Sequence, residues 1–317
     1  MSSSPQAAAL PAPPRVEEVS DGVYAYIQPD GTWWINNSGF LAGRTRVTAV
    51  DACATEARTR AFLAAIAQTA GQPVRTLINT HHHGDHTHGN YLFGEATIVA
   101  HERCREEIVN AGQAGLALIA ASGVWTEVDW GAIEVAPPFL TFTDRVSVYA
   151  DDLRCEVSYV GTPAHTTNDA VVWIPDRGVL FSGDLLFNGG TPFLLMGSVT
   201  GAITAVTALK ALGARTIVPG HGPVCGPSVI DDVVDYLNFV LAVATEGSAA
   251  GLSALDAARE ADLGAFAELT DSERLVGNLH RAYAELAGAP PGAPIDLAAA
   301  LGDMIAFNGG RPLTCLA

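Results

Sequence analysis

Apolar and polar residues alternate along Val23-Tyr-Ala-Tyr-Ile27, the period of a half-buried strand, and Pro29-Asp-Gly31 marks a turn after it. The stretch Val16 to Val50 reads as strands and turns, with Val47 to Val50 a buried strand that ends in the carboxylate Asp51. Helical spacing follows over Thr55 to Ala70, where Phe62, Leu63 and Ile66 share one face and Gly71 and Pro73 stop the helix. The alternation then repeats. Strands are predicted over 74–79, 96–100, 170–174, 178–181 and 216–219, with several short ones between 140 and 160. Helices are predicted over 102–111 and 200–212. From Ser228 onward the pattern is helical, with Gly- and Pro-rich breaks at 247–251 and 288–294. Strands mixed with helices, then a helical end, give an α/β sandwich with a helical appendix. The organisation read from this is a flexible, Pro-rich tail over 1–14, a catalytic domain over 15–245 and a helical C-terminal extension over 246–317 packed on it.

Composition narrows the function. Apolar residues make up 49% and charged ones 16%, which excludes a disordered chain, and 317 residues bury a core without disulfide staples. Thirty-four acidic against 17 basic residues leave a net charge of −17. Such a field repels phosphate backbones, so nucleic acid is excluded as a partner. No apolar run reaches the ~18–20 residues of a membrane span, and the start of the chain lacks a basic, apolar leader. The five cysteines (Cys53, Cys104, Cys155, Cys225, Cys315) are scattered and odd in number. Reduced thiols and a cytoplasmic location are expected.

The chemistry is concentrated in Asn79-Thr-His-His-His-Gly-Asp-His86, at the end of a predicted strand. His81 and His83 are two apart, so in extended chain both rings face one side. With Asp85 and His86 they form a donor set for a borderline cation such as zinc; the bland alternative is a solvated His-rich loop. Three further points follow. His165 lies in the turn Gly161-Thr-Pro-Ala-His165, Asp184 ends Leu180-Phe-Ser-Gly-Asp184, and His221 sits between glycines in Pro219-Gly-His-Gly222. Singly each reads as a turn, a cap or a structural histidine; in this order they do not.

The joint pattern over about residues 20–240 resembles the metallo-β-lactamase superfamily of binuclear metallohydrolases. The resemblance implies a four-layer αβ/βα sandwich with two zinc ions (iron or manganese as alternatives) at its loop edge. His81, His83 and His165 would hold the first metal, Asp85, His86 and His221 the second, and Asp184 would bridge them. A bridging hydroxide would be the nucleophile, with Asp85 managing the proton beside Asp184. Asp51 either orients ligands from behind or caps the following helix. His82 and His88 match no ligand position and read as solvated or supporting, His101 and His280 as structural, and Cys225 as a small buried residue.

Within the superfamily, Phe181-Ser-Gly-Asp-Leu-Leu-Phe-Asn-Gly-Gly190 resembles the glyoxalase II branch of thioester hydrolases. Phe187 stands where lactonases of the fold carry tyrosine. Lys210 is the one lysine, whereas the glutathione-binding members use basic residues. The stretches Gly189 to Ser198 and Pro219 to Pro227 are similar to actinomycete metallohydrolases of the actinorhodin-pathway polyketide cyclase/thioesterase type. That implies a small-molecule acyl thioester, or an aromatic polyketide on an acyl carrier protein that undergoes aldol closure and then thioester cleavage. A lactonase or other ester hydrolase, an iron-dependent persulfide dioxygenase of the same fold, and a non-catalytic binding module are the alternatives. Trp33, Trp34, Phe187, Phe193 and Met196 are the expected acyl-pocket residues. The amphipathic stretch 273–286 packs on the sandwich, covers the site or forms a homodimer contact.

Overall fold

Strand alternation sets the layers. The computed structural model describes residues 12–121 and 123–317, without the side chains of 118–121, so most of the tail expected over 1–14 lies outside the described residues. The first sheet contains β1 (Arg15–Ser20), β2 (Val23–Ile27), β3 (Ser38–Ala42), β4 (Val47–Val50), β5 (Val74–Ile78), β6 (Thr97–His101) and β7 (Leu140–Phe142), in that spatial order. Strands β1 to β4 pair antiparallel and β4 to β7 parallel. The second sheet contains β8 (Arg145–Ala150), β9 (Leu153–Tyr159), β10 (Ala170–Ile174), β11 (Val179–Phe181) and β12 (Thr216–Val218), ordered β12-β11-β10-β9-β8. Only its β11–β12 pair is parallel.

The helices are α1 (Glu56–Thr69), α2 (Gly84–Thr87), α3 (Glu102–Ala121), α4 (Val199–Ala208), α5 (Val229–Ala250), α6 (Ala254–Glu260), α7 (Arg274–Leu286) and α8 (Leu297–Phe307). Leu41 and Val50 of the first sheet meet Val179 and Phe181 of the second in a core between the sheets. Their strand neighbours Phe40 and Ala49 face outward onto Phe62 and Ile66 of α1. Leu180 faces the other way, onto Val206 of α4, Leu237 of α5 and Leu279 of α7. The order is therefore helix, sheet, sheet, helix, the four-layer αβ/βα sandwich the sequence implies. The sheets meet closely: a Cβ on Gly39 would lie 2.2 Å from the Phe181 ring.

Three boundaries differ from the sequence reading. Helix α3 runs to Ala121, past the predicted end at 111, across a kink at Gly112, whose φ of 51° continues no helix. Helix α5 runs through Gly247 and Ser248 and ends at Gly251 in the left-handed conformation, so the expected domain boundary at 245/246 falls inside a helix. Gly247 is there for close approach, since a Cβ would meet Tyr283 Oη at 2.4 Å and Ala257 Cβ at 2.7 Å. Helix 200–212 ends as α4 at Ala208 and continues as a 3₁₀ turn to Leu212. Among the described residues no helix is long and apolar enough to cross a membrane.

Candidate metal centre

The loops that leave the C-terminal ends of β4, β5, β11 and β12, and the β9–β10 connection, converge at one edge of the sandwich. In α/β sheets that edge is where side chains can face a ligand without interrupting the ladders. Two donor sets form there. His81, His83, His165 and Asp184 make one, and Asp85, His86, Asp184 and His221 the other, with the donor atoms of each set within 4.8 Å of one another. Asp184 is common to both. Its Oδ1 lies 3.0 Å from His86 Nε2, and its Oδ2 3.2 Å from His221 Nε2 and 3.4 Å from His165 Nε2. His81 Nε2 is 4.0 Å from Asp184 Oδ2, and His221 Nε2 is 3.3 Å from Asp85 Oδ2.

These residues fit a pair of cations. Donors ~2.0–2.1 Å from a tetrahedral zinc stand roughly 3.3–3.4 Å apart, within the range observed. His81 Nε2, His86 Nε2 and Asp184 Oδ1 are buried and carry no hydrogen bond. Buried polar atoms are rarely left so, and these three, spread over the two donor sets, suit partners of positive charge. Electrostatics divides the donors. Burial lowers His86 and His221, but the Asp184 and Asp85 carboxylates outweigh it and raise His86 well above its usual value and His221 to about 9, so these two rings would give up a proton to a cation. Burial opposes ionisation of Asp184, but His221, His86 and His165 outweigh it and hold the carboxyl well below its usual range. Burial and then His86 push His81 well down, and burial and then His165 do so to His83, leaving the neutral imidazoles that bind metals.

Other side chains aim the ligands. Asp51, at φ 57° just past β4, accepts from Thr80 N–H and Thr80 Oγ1–H at 2.8 Å each and lies 2.8 Å from His86 Nδ1. It orients the ligand; the cap of α1 is Thr55, which accepts from Arg58 N–H, so the helix-cap reading of Asp51 is corrected. A carboxylate behind an imidazole fixes its tautomer and strengthens it as a ligand. His165 Nδ1 faces the Phe193 carbonyl, and His221 Nδ1 that of Gly31 at 3.1 Å. The His221 loop is cradled by Asn37, whose Nδ2 donates to Pro219 and Gly222 carbonyls. Asp169 accepts from Thr166 N–H and Oγ1–H and fixes the His165 turn. Gly220 leaves room for the shared acid, as a Cβ there would sit 1.9 Å from Asp184 Oδ1.

The remaining sequence candidates fall into place around these. His82 bonds Asn168, and burial pushes it down to about 4. His88 Nδ1 faces the Ala54 carbonyl and its ring stacks on Trp34. His101 meets the Thr143 carbonyl and His280 meets Asp303, both away from the donor sets. Cys225 lies on the Ile217 carbonyl, half-buried.

A cavity of about 430 Å³ opens onto the donor sets, and His83, Asp85, His165, Asp184 and His221 form one side of it. Trp33, Trp34, Phe187, Phe193 and Met196 all line it. So do residues the sequence reading missed: Trp125, Leu195, and, from the C-terminal extension, Arg274, Leu297 and Leu301. Trp125 lies in an irregular stretch with no periodic signal. Arg274 had one, since it recurs with Asn278 and Arg281 at i, i+4 and i+7 beside the apolar positions Leu275 and Leu279, all of them buried.

The comparisons with known proteins agree with this geometry. The profile described as "Metallo-beta-lactamase superfamily" matches residues 31–221. A hydroxyacylglutathione hydrolase of Rhodospirillum rubrum is 30% identical over 154 residues, 49% of this chain and 50% of its own. The chain thus spans about half the length of that relative. A metallo-beta-lactamase type 2 of Bacteroides fragilis is 25% identical over 240 residues, 70% of this chain and 85% of its own. Among solved structures, a metallo-beta-lactamase from Pontibacter korlensis superposes with a TM-score of 0.56 at 20% identity, covering 71% of this chain and 99% of its own. With a profile match over more than half of its length and both donor sets assembled, the chain belongs to the metallo-beta-lactamase superfamily.

Proposed function

We propose that the protein is a binuclear metal-dependent hydrolase, zinc the fitting metal, whose substrate is an acyl thioester. The observation that carries this reading is the single buried carboxylate, Asp184, common to two donor sets that face a largely apolar cavity. The similarity to a hydroxyacylglutathione hydrolase supports the thioester class. Two cations at these sites would supply Lewis acidity and an acidified water. The chain's own residues do the rest. Asp184 stays ionised and supplies negative charge, and Asp85 is ionised at the start of the cycle. Asp85, which lines the cavity, takes the proton from the attacking water at a carboxylate oxygen and returns it to the leaving sulfur. The walls of Trp33, Phe187, Phe193 and Met196 hold the acyl group and exclude bulk water. The size and apolar character of the cavity favour a bulky acyl group. A carrier-bound aromatic polyketide, cyclised before release, is the finer form of this reading.

The test is thiol release from a bulky acyl N-acetylcysteamine thioester by the zinc-loaded protein. Asp184→Asn is expected to lower turnover by about 10²- to 10³-fold with an unchanged circular-dichroism spectrum, in line with the loss of a preorganised charge in a buried site. Release that persists in the variant refutes the binuclear mechanism. Absence of release from protein holding two zinc ions refutes the thioester class and directs the assay to lactones and other esters. Oxygen uptake by iron-loaded protein with a persulfide would replace hydrolysis by dioxygenase chemistry.

A further inference from the structure

The stretch that follows the shared acid, residues 187–196, touches three metal-ligand histidines. The Phe187 ring lies parallel to the His221 imidazole, centroids 5.0 Å apart and planes 3° apart, and meets the His165 ring less closely, at 6.2 Å and 57°. The Phe193 carbonyl faces His165 Nδ1. Met196 Sδ lies 3.4 Å from His83 Nε2. This stretch has no regular secondary structure of its own to hold it. Single backbone bridges tie Phe187 to His221 and Gly190 to Thr270, and beyond them α7 holds it. Arg274, Asn278 and Arg281, at i, i+4 and i+7, form one polar stripe on that helix, and each is 2% exposed or less. Arg274 Nη1 donates to the Thr191 carbonyl at 3.1 Å. Asn278 brackets Phe193: its Oδ1 accepts from Leu194 N–H at 2.9 Å, and its Nδ2 donates to the Pro192 carbonyl at 2.8 Å. Arg281 Nε and Nη2 both donate to the Leu195 carbonyl, at 3.1 and 2.7 Å.

The Arg274 guanidinium also lies 4.3 Å from the Trp33 ring centre and 5.4 Å from that of Phe187. Its charge is answered by Asp271 at 2.8 Å, and the neighbouring Glu273 accepts from Trp33 Nε1 at 2.7 Å. A planar cation over aromatic faces, fixed by an ion pair, is a stiff support for the ring it covers.

We propose that α7 is a working part of the metal centre, with Arg274 and Asn278 as positioning residues for different ligands. Arg274 acts through Phe187 on His221, and so on the set Asp85, His86 and His221. Asn278 acts through Phe193 on His165, and so on the set His81, His83 and His165. The proposal rests on the two-metal reading above and predicts an asymmetry that simple packing of the helix would not give.

The test is cobalt(II) titration of the metal-free full-length protein, followed by calorimetry and by the visible d–d bands. His81→Ala and His221→Ala, each with one set disabled, provide the reference spectra. Wild type is expected to take two ions. Arg274→Met should weaken the His221 set by about 10- to 100-fold and leave the other within a factor of three, the size seen when support behind a ligand is lost. Asn278→Ala should do the reverse. Removing Arg274 strands the Asp271 charge, so the neutral pair Asp271→Asn/Arg274→Met serves as the second variant and should show the same selective loss. Equal weakening of both sets, or no change in folded variants, overturns the proposal. A wild type that takes fewer than two ions overturns the two-metal reading itself, and the proposal with it.

Discussion

At the scale of single residues, the site depends on what is small as much as on what binds. Gly220 stands where a methyl group would collide with Asp184 Oδ1 at 1.9 Å and with the Gly183 carbonyl carbon at 2.8 Å. Gly220→Ala should therefore displace the shared carboxylate and lower metal affinity by about 10- to 100-fold, through position alone. Metal titration of the purified variant checks this, and wild-type affinity would show that the carboxylate is not held where Gly220 leaves room for it. The seven donor residues stood out in the sequence because four lie within six residues, Asp184 and His221 follow strands and His165 sits in a Gly/Pro turn. Asp51 was legible as one of two alternatives, and the geometry chose between them. Asp169 and Asn37 were not legible, since each acts through one or two backbone contacts made possible only by folding.

At the scale of elements, hydrophobic period located nearly every strand and helix, and apolar spacing with the stop near Gly71 placed α1, although its cap is Thr55 and not Asp51. It failed where a glycine has a tertiary reason. Gly247 read as a break, yet it continues α5 because Tyr283 and Ala257 press against it. Helix α1 supports the outer face of the first sheet through Phe62, which is fully buried against Tyr26 and Phe40. Phe62→Ala should cost ~3–5 kcal/mol of stability, the usual toll of an emptied aromatic site. Denaturant unfolding measures it, and turnover per folded molecule should stay at the wild-type value because α1 carries no ligand. A loss below 1 kcal/mol would mean the layer is not packed as described. The polar stripe of α7 was read as amphipathic character alone, because periodicity reports which face is buried and not what that face bonds to.

At the scale of the whole molecule, on the thioester reading proposed above, charge would set which thiol carriers approach. The net charge is −17, and Glu107 and Glu134 line the cavity, whose one described Lys or Arg, Arg274, is buried and paired with Asp271. Glutathione thioesters carry negative charge into that field. Their kcat/KM should fall below that of a neutral N-acetylcysteamine thioester of the same acyl group, and the gap should widen at low ionic strength, where screening is weak. A glutathione thioester that is favoured at low salt would contradict this view of the mouth. The sequence reading reached the same expectation from the single lysine, but the acidic lining of the cavity required the fold.

The aromatic wall has an optical consequence. Of the five tryptophans, Trp33, Trp34 and Trp125 line the cavity, and Trp130 packs edge-on to Trp34. The near-ultraviolet emission of the unlabelled protein therefore comes mainly from the walls of this cavity. Filling that site should change its colour and intensity, so the molecule carries its own dye for finding what it binds.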